Sequence, residues 1–417
     1  MIARFLARRV LMQRLTSDQL LQELTDVEDL LIVQDLDGVC MQLVKDPLTR
    51  QMDPDYVEAA ARLRGHFMVL TNGEHERRRG VNGLVEKALG DDQRPGREGG
   101  YLPGLAAGGV QLQDRFGQLS HPGVSAAEKA FLAAAPQRME TLLLERLPAL
   151  LPEVDPAQLA QLAHLAVLDT EVSPTVNLNG LFGLIPNDLE RQRQLQCLLE
   201  ALMEQLLEEA TQQGLDGSFF LHAAPNLGWD ANGRERMKPS VAGDVGTTDI
   251  QFMLTGSLKE AGLLVLINRH IAARWGGEAP LGEDFNVRTA PRTHQALMDL
   301  ARTKIAPEQM PRLLGVGDTV TSTASTDGSG WLRGGSDRGF LTLLKDLGAW
   351  CGQDNRVILV DSSHGEVDRP GLADGSLQGI SDPEDPLHLD LLMPAGPEEY
   401  IRWFIRLAER RSQKAVD

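Results

Sequence analysis

Carboxylates, a hydroxyl and an amide stand directly after short apolar runs in this chain. Asp35-Leu36-Asp37-Gly38 follows Leu30-Leu31-Ile32-Val33, and Thr71-Asn72-Gly73 follows Phe67-Met68-Val69-Leu70. Asp318 closes Arg312–Val316 after Gly317, and Asp361 closes Val357–Val360. Grouped carboxylates suit a hard cation, because Mg²⁺ takes oxygen ligands, while hydroxyl and amide donors suit phosphoryl oxygens. A single Asp or Thr after a strand is an ordinary turn residue. Four such strand ends in order point to one site for a divalent cation and a phosphate.

The apolar runs are continuous and short, as in strands buried on both faces of a parallel sheet. Helical patterns alternate with them: Tyr56 to Arg64, Lys259 to Trp275 behind Thr255-Gly256-Ser257, His294–Lys304 and Phe340–Trp350. This rhythm predicts a parallel sheet that binds its ligand at the carboxyl ends of its strands. Thr16 and Gln19 have capping-box spacing and open a short helix to about Glu28. Gly109 to Gly117 reads as a β-hairpin.

From Ser125 to Gln213 the pattern is mostly helical, with Leu195, Leu198, Leu199, Leu202, Met203, Leu206 and Leu207 forming one apolar stripe. Strands at Ser218–Leu221 and Asp249–Leu254 complete a separate α/β unit. The expected fold class is therefore α/β, a doubly wound parallel-sheet core with a large insertion. Residues 1–117 form the first part of the core, 118–255 the insertion and 256–417 the second part. Thr319 to Gly339, rich in Ser, Thr, Gly and Asp, reads as a mobile loop at a strand's carboxyl end.

The 417 residues exceed what one hydrophobic core usually serves. A formal net charge of -18 disfavours nucleic-acid partners. Cys40, Cys197 and Cys351 lack the spacing of a disulfide framework or zinc site, which suits a reducing cytoplasm, and Cys40 reads as a small buried hydrophobe. No apolar run approaches the roughly 20 residues of a membrane span. The basic, amphipathic start, Met1 to Arg14, lacks the features of a secretory signal and reads as a surface helix. The run Glu76-Arg77-Arg78-Arg79 reads as a solvated helix face, with a raised local potential for an anionic substrate as the alternative.

Asp35-Leu36-Asp37-Gly38 resembles the DxDG motif of the haloacid dehalogenase-like phosphatases, with Thr71 and Asp318 where that superfamily has its second and fourth motifs. The hairpin Gly108 to Gly117, with an insertion after it, is similar to members with a large α/β cap. Asp35 to Met41, Val44-Lys45-Asp46-Pro47-Leu48 and Asp249 to Ser257 look more closely like the glucosylglycerol-phosphate phosphatases of salt-tolerant bacteria, over essentially the whole chain.

The resemblance implies Mg²⁺-dependent hydrolysis of a small sugar phosphate, glucosylglycerol 3-phosphate, in compatible-solute synthesis, with glucosylglycerol-phosphate synthase as functional partner. Asp35 is then the nucleophile and Asp37 the general acid and base, a cycle open to a carboxyl group. Gly38, Thr71 and Asn72 address the phosphoryl oxygens, and Asp318, Asp35 and the Asp37 carbonyl hold Mg²⁺. The superfamily's lysine is Lys259, in the first turn of a helix after a returning strand, with Lys238 as the alternative. Where the superfamily usually has a second acid after Asp318, this chain has Ser322 and Thr323, which leaves Ser322, Asp327 or Asp361 to complete the metal shell. Three rivals remain at this point: a metal-dependent glycosyltransferase using Asp35-Leu36-Asp37 to hold a nucleotide-sugar diphosphate, a phosphatase for another sugar phosphate, and a regulatory sugar-phosphate binder.

Overall fold

The computed structural model describes residues 14–414 except 78, 169 and 373–374, so the expected surface helix at the start of the chain lies outside the described residues but for Arg14. Helix α1 (Ser17–Thr25) begins with Thr16 and Gln19 in a reciprocal capping box. Strand β1 (Leu30–Gln34) is buried throughout. Its alternation sends Leu31 and Val33 into one hydrophobic layer and Leu30 and Ile32 into the other. Helix α2 (Pro54–Arg62), β2 (Phe67–Leu70), α3 (Val81–Leu89) and β3 (Gly104–Ala106) continue the alternation, and β4 (Gln111–Gln113) and β5 (Leu119–Ser120) turn back antiparallel. The hairpin thus closes past Gly117. Asp114 accepts the N–H groups of Phe116 and Gln118, which turns Arg115 and Phe116 into the loop.

The chain then leaves the sheet for a cap. It comprises α4 (Ala126–Leu150), α5 (Pro156–Ala166), β6 (Val167–Leu168), β7 (Thr175–Asn177), α6 (Leu189–Gln212), β8 (Phe219–Ala224), β9 (Asn226–Trp229), β10 (Glu235–Met237) and β11 (Asp249–Leu254). A four-stranded antiparallel sheet runs β6-β7-β11-β8. Val176, Ile250 and Phe252 are buried in its hydrophobic core, with Phe131, Phe219 and Phe252 at centroid distances of 4.9 to 5.7 Å. Alternation sends Thr175, Asn177, Asp249 and Gln251 to the opposite face.

Helix α7 (Lys259–Trp275) returns to the core, followed by α8 (His294–Lys304), β12 (Arg312–Gly317), β13 (Thr321–Ala324), β14 (Trp331–Gly334), α9 (Arg338–Cys351), β15 (Arg356–Val360), β16 (Leu391–Met393) and α10 (Pro397–Lys414). The core sheet reads β16-β15-β12-β1-β2-β3-β4-β5, parallel from β16 to β3. Helices α7 and α9 cover one face, and α1, α2 and α10 the other. Sequence order reverses at β1 and β12, the topological switch point where open α/β sheets bind ligands. Gln34 is in register with Val316, so Asp35 and Asp318 emerge side by side.

The segment expected to be a mobile loop, Thr319 to Gly339, contains the hairpin of β13 and β14. It lies against cap strand β9 so closely that a Cβ on Gly228 would stand 2.2 Å from the Arg333 carbonyl oxygen. The segment's polar composition hides this pairing, because the hairpin's own bonds go from backbone to backbone, while glycine permits the close approach to the cap and Thr321 Oγ1 donates to the Asn226 carbonyl oxygen at 2.6 Å. No helix among the described residues is long and apolar enough to cross a membrane.

Candidate active site

Asp35 ends the central strand, and the first residue of α7, Lys259, reaches it: Lys259 Nζ donates to Asp35 Oδ2 at 2.5 Å and to Asp337 Oδ1 at 2.7 Å. Asp337 stands just before α9 and is fully buried. Its Oδ2 accepts the backbone N–H groups of Asp318 and Thr319, each at 3.0 Å. Asp318 Oδ2 is buried without a hydrogen-bond partner among the described residues. Gly38 has φ +75°, and a Cβ there would fall 2.2 Å from this oxygen. Glycine is thus required for the Asp318 carboxylate to lie against the turn after β1.

One ammonium bridges Asp35 and Asp337, and these two and Asp318 each place one carboxylate oxygen within 4.8 Å of the others. Burial and then the Asp337 carboxylate push Asp35 above the usual carboxylate range, against the pull of Lys259. Burial, Asp337 and Asp35 raise Asp318 likewise. Burial works against the charge on Lys259, but its two carboxylate partners outweigh it and hold the ammonium protonated. An all-oxygen donor set, excess negative charge and an orphaned buried oxygen fit a hard divalent cation. Lys259→Met therefore leaves Asp35 and Asp337 facing each other uncompensated, and if Asp35 is the nucleophile that the resemblance implies, turnover should fall by about 10²-fold or more, measured as release of the product.

The remaining candidates separate. Asp37 turns its carboxylate to Arg50, whose Nη1 donates to Oδ1 at 3.1 Å and Oδ2 at 3.0 Å. Thr71 is buried at the end of β2, and its Oγ1 accepts the Gly73 N–H at 3.3 Å. Asn72 reaches the cap, its Nδ2 lying 2.8 Å from His222 Nε2, while His222 Nδ1 lies 3.0 Å from Glu235. Glu74 ties the same turn to the cap by accepting the backbone N–H groups of Glu171, Val172 and Ser173. Lys238 is brought to Asp244 instead, at 2.6 Å, and does not line the site. Cys40 is buried, which raises its thiol far above the ordinary value.

Asp337, which the sequence reading missed, is the carboxylate that stands with Asp35 and Asp318, whereas Ser322, Asp327 and Asp361 have other partners. Ser322 Oγ donates to Asp382 at 2.5 Å, and Asp327 closes the exposed turn of the β13–β14 hairpin. Asp361 accepts the N–H groups of Ser363 at 2.9 Å and Leu372 at 2.6 Å, holding the loop after β15. Asp361→Ala should cost about 1–3 kcal/mol of stability, measured by denaturant unfolding, because buried donors lose their acceptor. The concentration of divalent cation for half-maximal activity should be unchanged.

These strand ends and the polar face of the cap sheet line a cavity of about 190 Å³. Asp35, Asp37, Thr71, Asn72 and Asp318 line its core side, and Thr175, Asn177, Asp249 and Gln251 its cap side. Arg79, from the run read as a solvated face, lines it too. A carboxylate set beside a lysine, facing the polar side of the cap sheet, can attack a phosphoryl group.

The chain aligns over 94% of its length with the glucosylglycerol-phosphate phosphatase of Synechocystis sp. (strain ATCC 27184 / PCC 6803 / Kazusa), at 48% identity across 401 residues and 95% of that protein. Among solved structures it is similar to the trehalose-6-phosphate phosphatase of Aspergillus fumigatus, at 10% identity and TM-score 0.39 over 95% of this chain and 98% of that one. The C-terminal domain of the Candida albicans trehalose-6-phosphate phosphatase gives 11%, 0.45, 95% and 98%. Those two likenesses are too distant to carry an argument. A sequence model of the glucosylglycerol-phosphate phosphatases matches residues 29–408. With its parallel core sheet and a second sheet inserted as a cap, the chain belongs to the glucosylglycerol-phosphate phosphatase family.

Proposed function

We propose that this protein is a cytoplasmic, Mg²⁺-dependent phosphatase that hydrolyses glucosylglycerol 3-phosphate to glucosylglycerol and phosphate. Its role would be compatible-solute synthesis under salt stress, downstream of the synthase that makes the ester. The observation that carries the chemistry is Asp35, held at 2.5 Å from the Lys259 ammonium at the switch point of the sheet. Family membership supports the choice of substrate.

In the first step an Asp35 carboxylate oxygen attacks phosphorus, and the bond from phosphorus to the glycerol oxygen breaks. Asp37 gives its proton to the departing alkoxide, so an aspartyl-phosphate and the free alcohol result. In the second step a water oxygen attacks the same phosphorus while Asp37 takes the water proton. Phosphate leaves, and Asp35 is regenerated. Arg50 acts as a positioning residue by gripping both oxygens of Asp37. Thr71 and Asn72 present donors to the phosphoryl oxygens, and Gly38 admits Asp318 beside Asp35. Asp35, Asp318, Asp337 and the Asp37 carbonyl would hold the Mg²⁺, which supplies charge neutralisation between the substrate dianion and the carboxylates. The DxD reading of a nucleotide-sugar enzyme fares worse, because Asp37 is engaged by Arg50 while Asp35 is engaged by Lys259.

The test is phosphate release from a series of sugar and polyol phosphates with Mg²⁺. We expect kcat/KM for glucosylglycerol 3-phosphate to exceed that for glycerol 3-phosphate, trehalose 6-phosphate and sucrose 6-phosphate by roughly 100-fold, since a site built to pair buried polar groups rejects mismatched hydroxyls. Parity with any of the three overturns the substrate.

A further inference from the structure

Within the cavity wall, three side chains outside the carboxylate cluster have buried polar atoms without a hydrogen-bond partner among the described residues. They are Thr170 at Oγ1, Gln251 at Oε1, and Arg369 at both Nε and Nη1. Their neighbours are satisfied: Asn177 donates to Asp249 at 2.8 Å, and Asp249 also accepts from Thr248 at 2.8 Å. Unpaired buried donors and acceptors are costly and therefore rare in folded proteins. Three side chains from separate segments meet at one cavity: the approach to β7, strand β11 and the loop after β15. Such a meeting marks where a ligand completes the bonding.

The atoms define that ligand's chemistry. Arg369 offers N–H donors and needs acceptors, whereas Gln251 Oε1 needs a donor. A phosphate dianion has acceptors only, so it can serve Arg369 but not Gln251. A hydroxyl both donates and accepts and can serve all three side chains. Asp318, Asp244 and Asp249 attract the Arg369 guanidinium, although burial opposes its charge more strongly, and its Nε and Nη1 have no hydrogen-bond partner among the described residues. Asp361 fixes the backbone beside it through Leu372 N–H. We propose that Thr170, Gln251 and Arg369 form a subsite for the polyhydroxyl, non-reacting part of the substrate, bridging the cap and the core. This rests on the phosphatase reading above for the identity of the ester.

Two variants test it, Gln251→Leu in the cap and Arg369→Met in the loop, each assayed with glucosylglycerol 3-phosphate and with hydroxyl-free para-nitrophenyl phosphate. The ratio of kcat/KM for the two esters should fall by about tenfold or more in each variant, chiefly through KM for the sugar ester. Calorimetry with glucosylglycerol alone, which has no phosphate, should show binding to the wild-type protein that weakens by about tenfold or more in both variants. An unchanged ratio, or equal loss with both esters, overturns the subsite. If Gln251→Leu does not fold, Arg369→Met decides. If the wild-type protein releases phosphate from neither ester, the phosphatase reading falls, and glucosylglycerol binding still decides the subsite.

Discussion

Asp35→Asn removes turnover, lowering kcat by roughly 10⁴-fold or more, and leaves the protein folded. The amide fills the same volume but has no anionic oxygen to form a bond to phosphorus, so the covalent route is closed. The stability expectation follows from the charges around it. Lys259 keeps its 2.7 Å partner Asp337, and the amide oxygen introduced by the substitution can still accept from the ammonium. Removing one of three crowded carboxylates relieves the repulsion that, after burial, raises Asp35 and Asp318. Without metal, the variant should therefore melt at or above the wild-type temperature, as occurs when a strained functional group is neutralised. Phosphate release and thermal melts in chelator measure both halves. Wild-type phosphate release by the purified variant would falsify the nucleophile assignment.

Much of this site is legible in the sequence because parallel strands announce themselves as apolar runs, and the residue after each run is the one that faces the ligand. Asp35, Thr71 and Asp318 are found this way. Lys259 is found by its place at the start of a helix, which brings it to the same end of the sheet. Asp337 escapes because 18 residues separate it from Asp318, and they form a hairpin whose length no local rule sets. The polar residues before α9 look the same whether they are a loop or a buried turn. Partners across the cap escape for a similar reason. Asn72 and His222 lie 150 residues apart, and nothing in either segment encodes their meeting. In β11 the alternation of Asp249 and Gln251 with Ile250 and Phe252 marks a two-faced strand, but only the docked cap shows that the polar face looks into the cavity.

Loss of the divalent cation should abolish activity, and on the proposed function Asp337 joins Asp35 and Asp318 around that cation. Both of its carboxylate oxygens are engaged, Oδ1 by Lys259 and Oδ2 by the backbone of Asp318 and Thr319. Asp337→Ala breaks all of these in a fully buried place, so about 3–5 kcal/mol of stability goes with it and the loss of activity is uninformative. Asp337→Asn separates the effects. Its amide oxygen can keep the two backbone N–H groups, while the negative charge beside the cation is gone. The Mg²⁺ concentration for half-maximal phosphate release should rise by about 10- to 100-fold, the usual consequence of disturbing the shell that orients metal ligands, with kcat partly recovered at saturating Mg²⁺. Asp318→Ala, which deletes the oxygen left without a partner, should raise the requirement further and not be rescued. Titrating Mg²⁺ into chelator-treated wild-type and variant proteins measures this order. Full activity after exhaustive chelation would sink the metal site, and an unchanged requirement in Asp337→Asn would confine Asp337 to holding Lys259 and the Asp318 backbone.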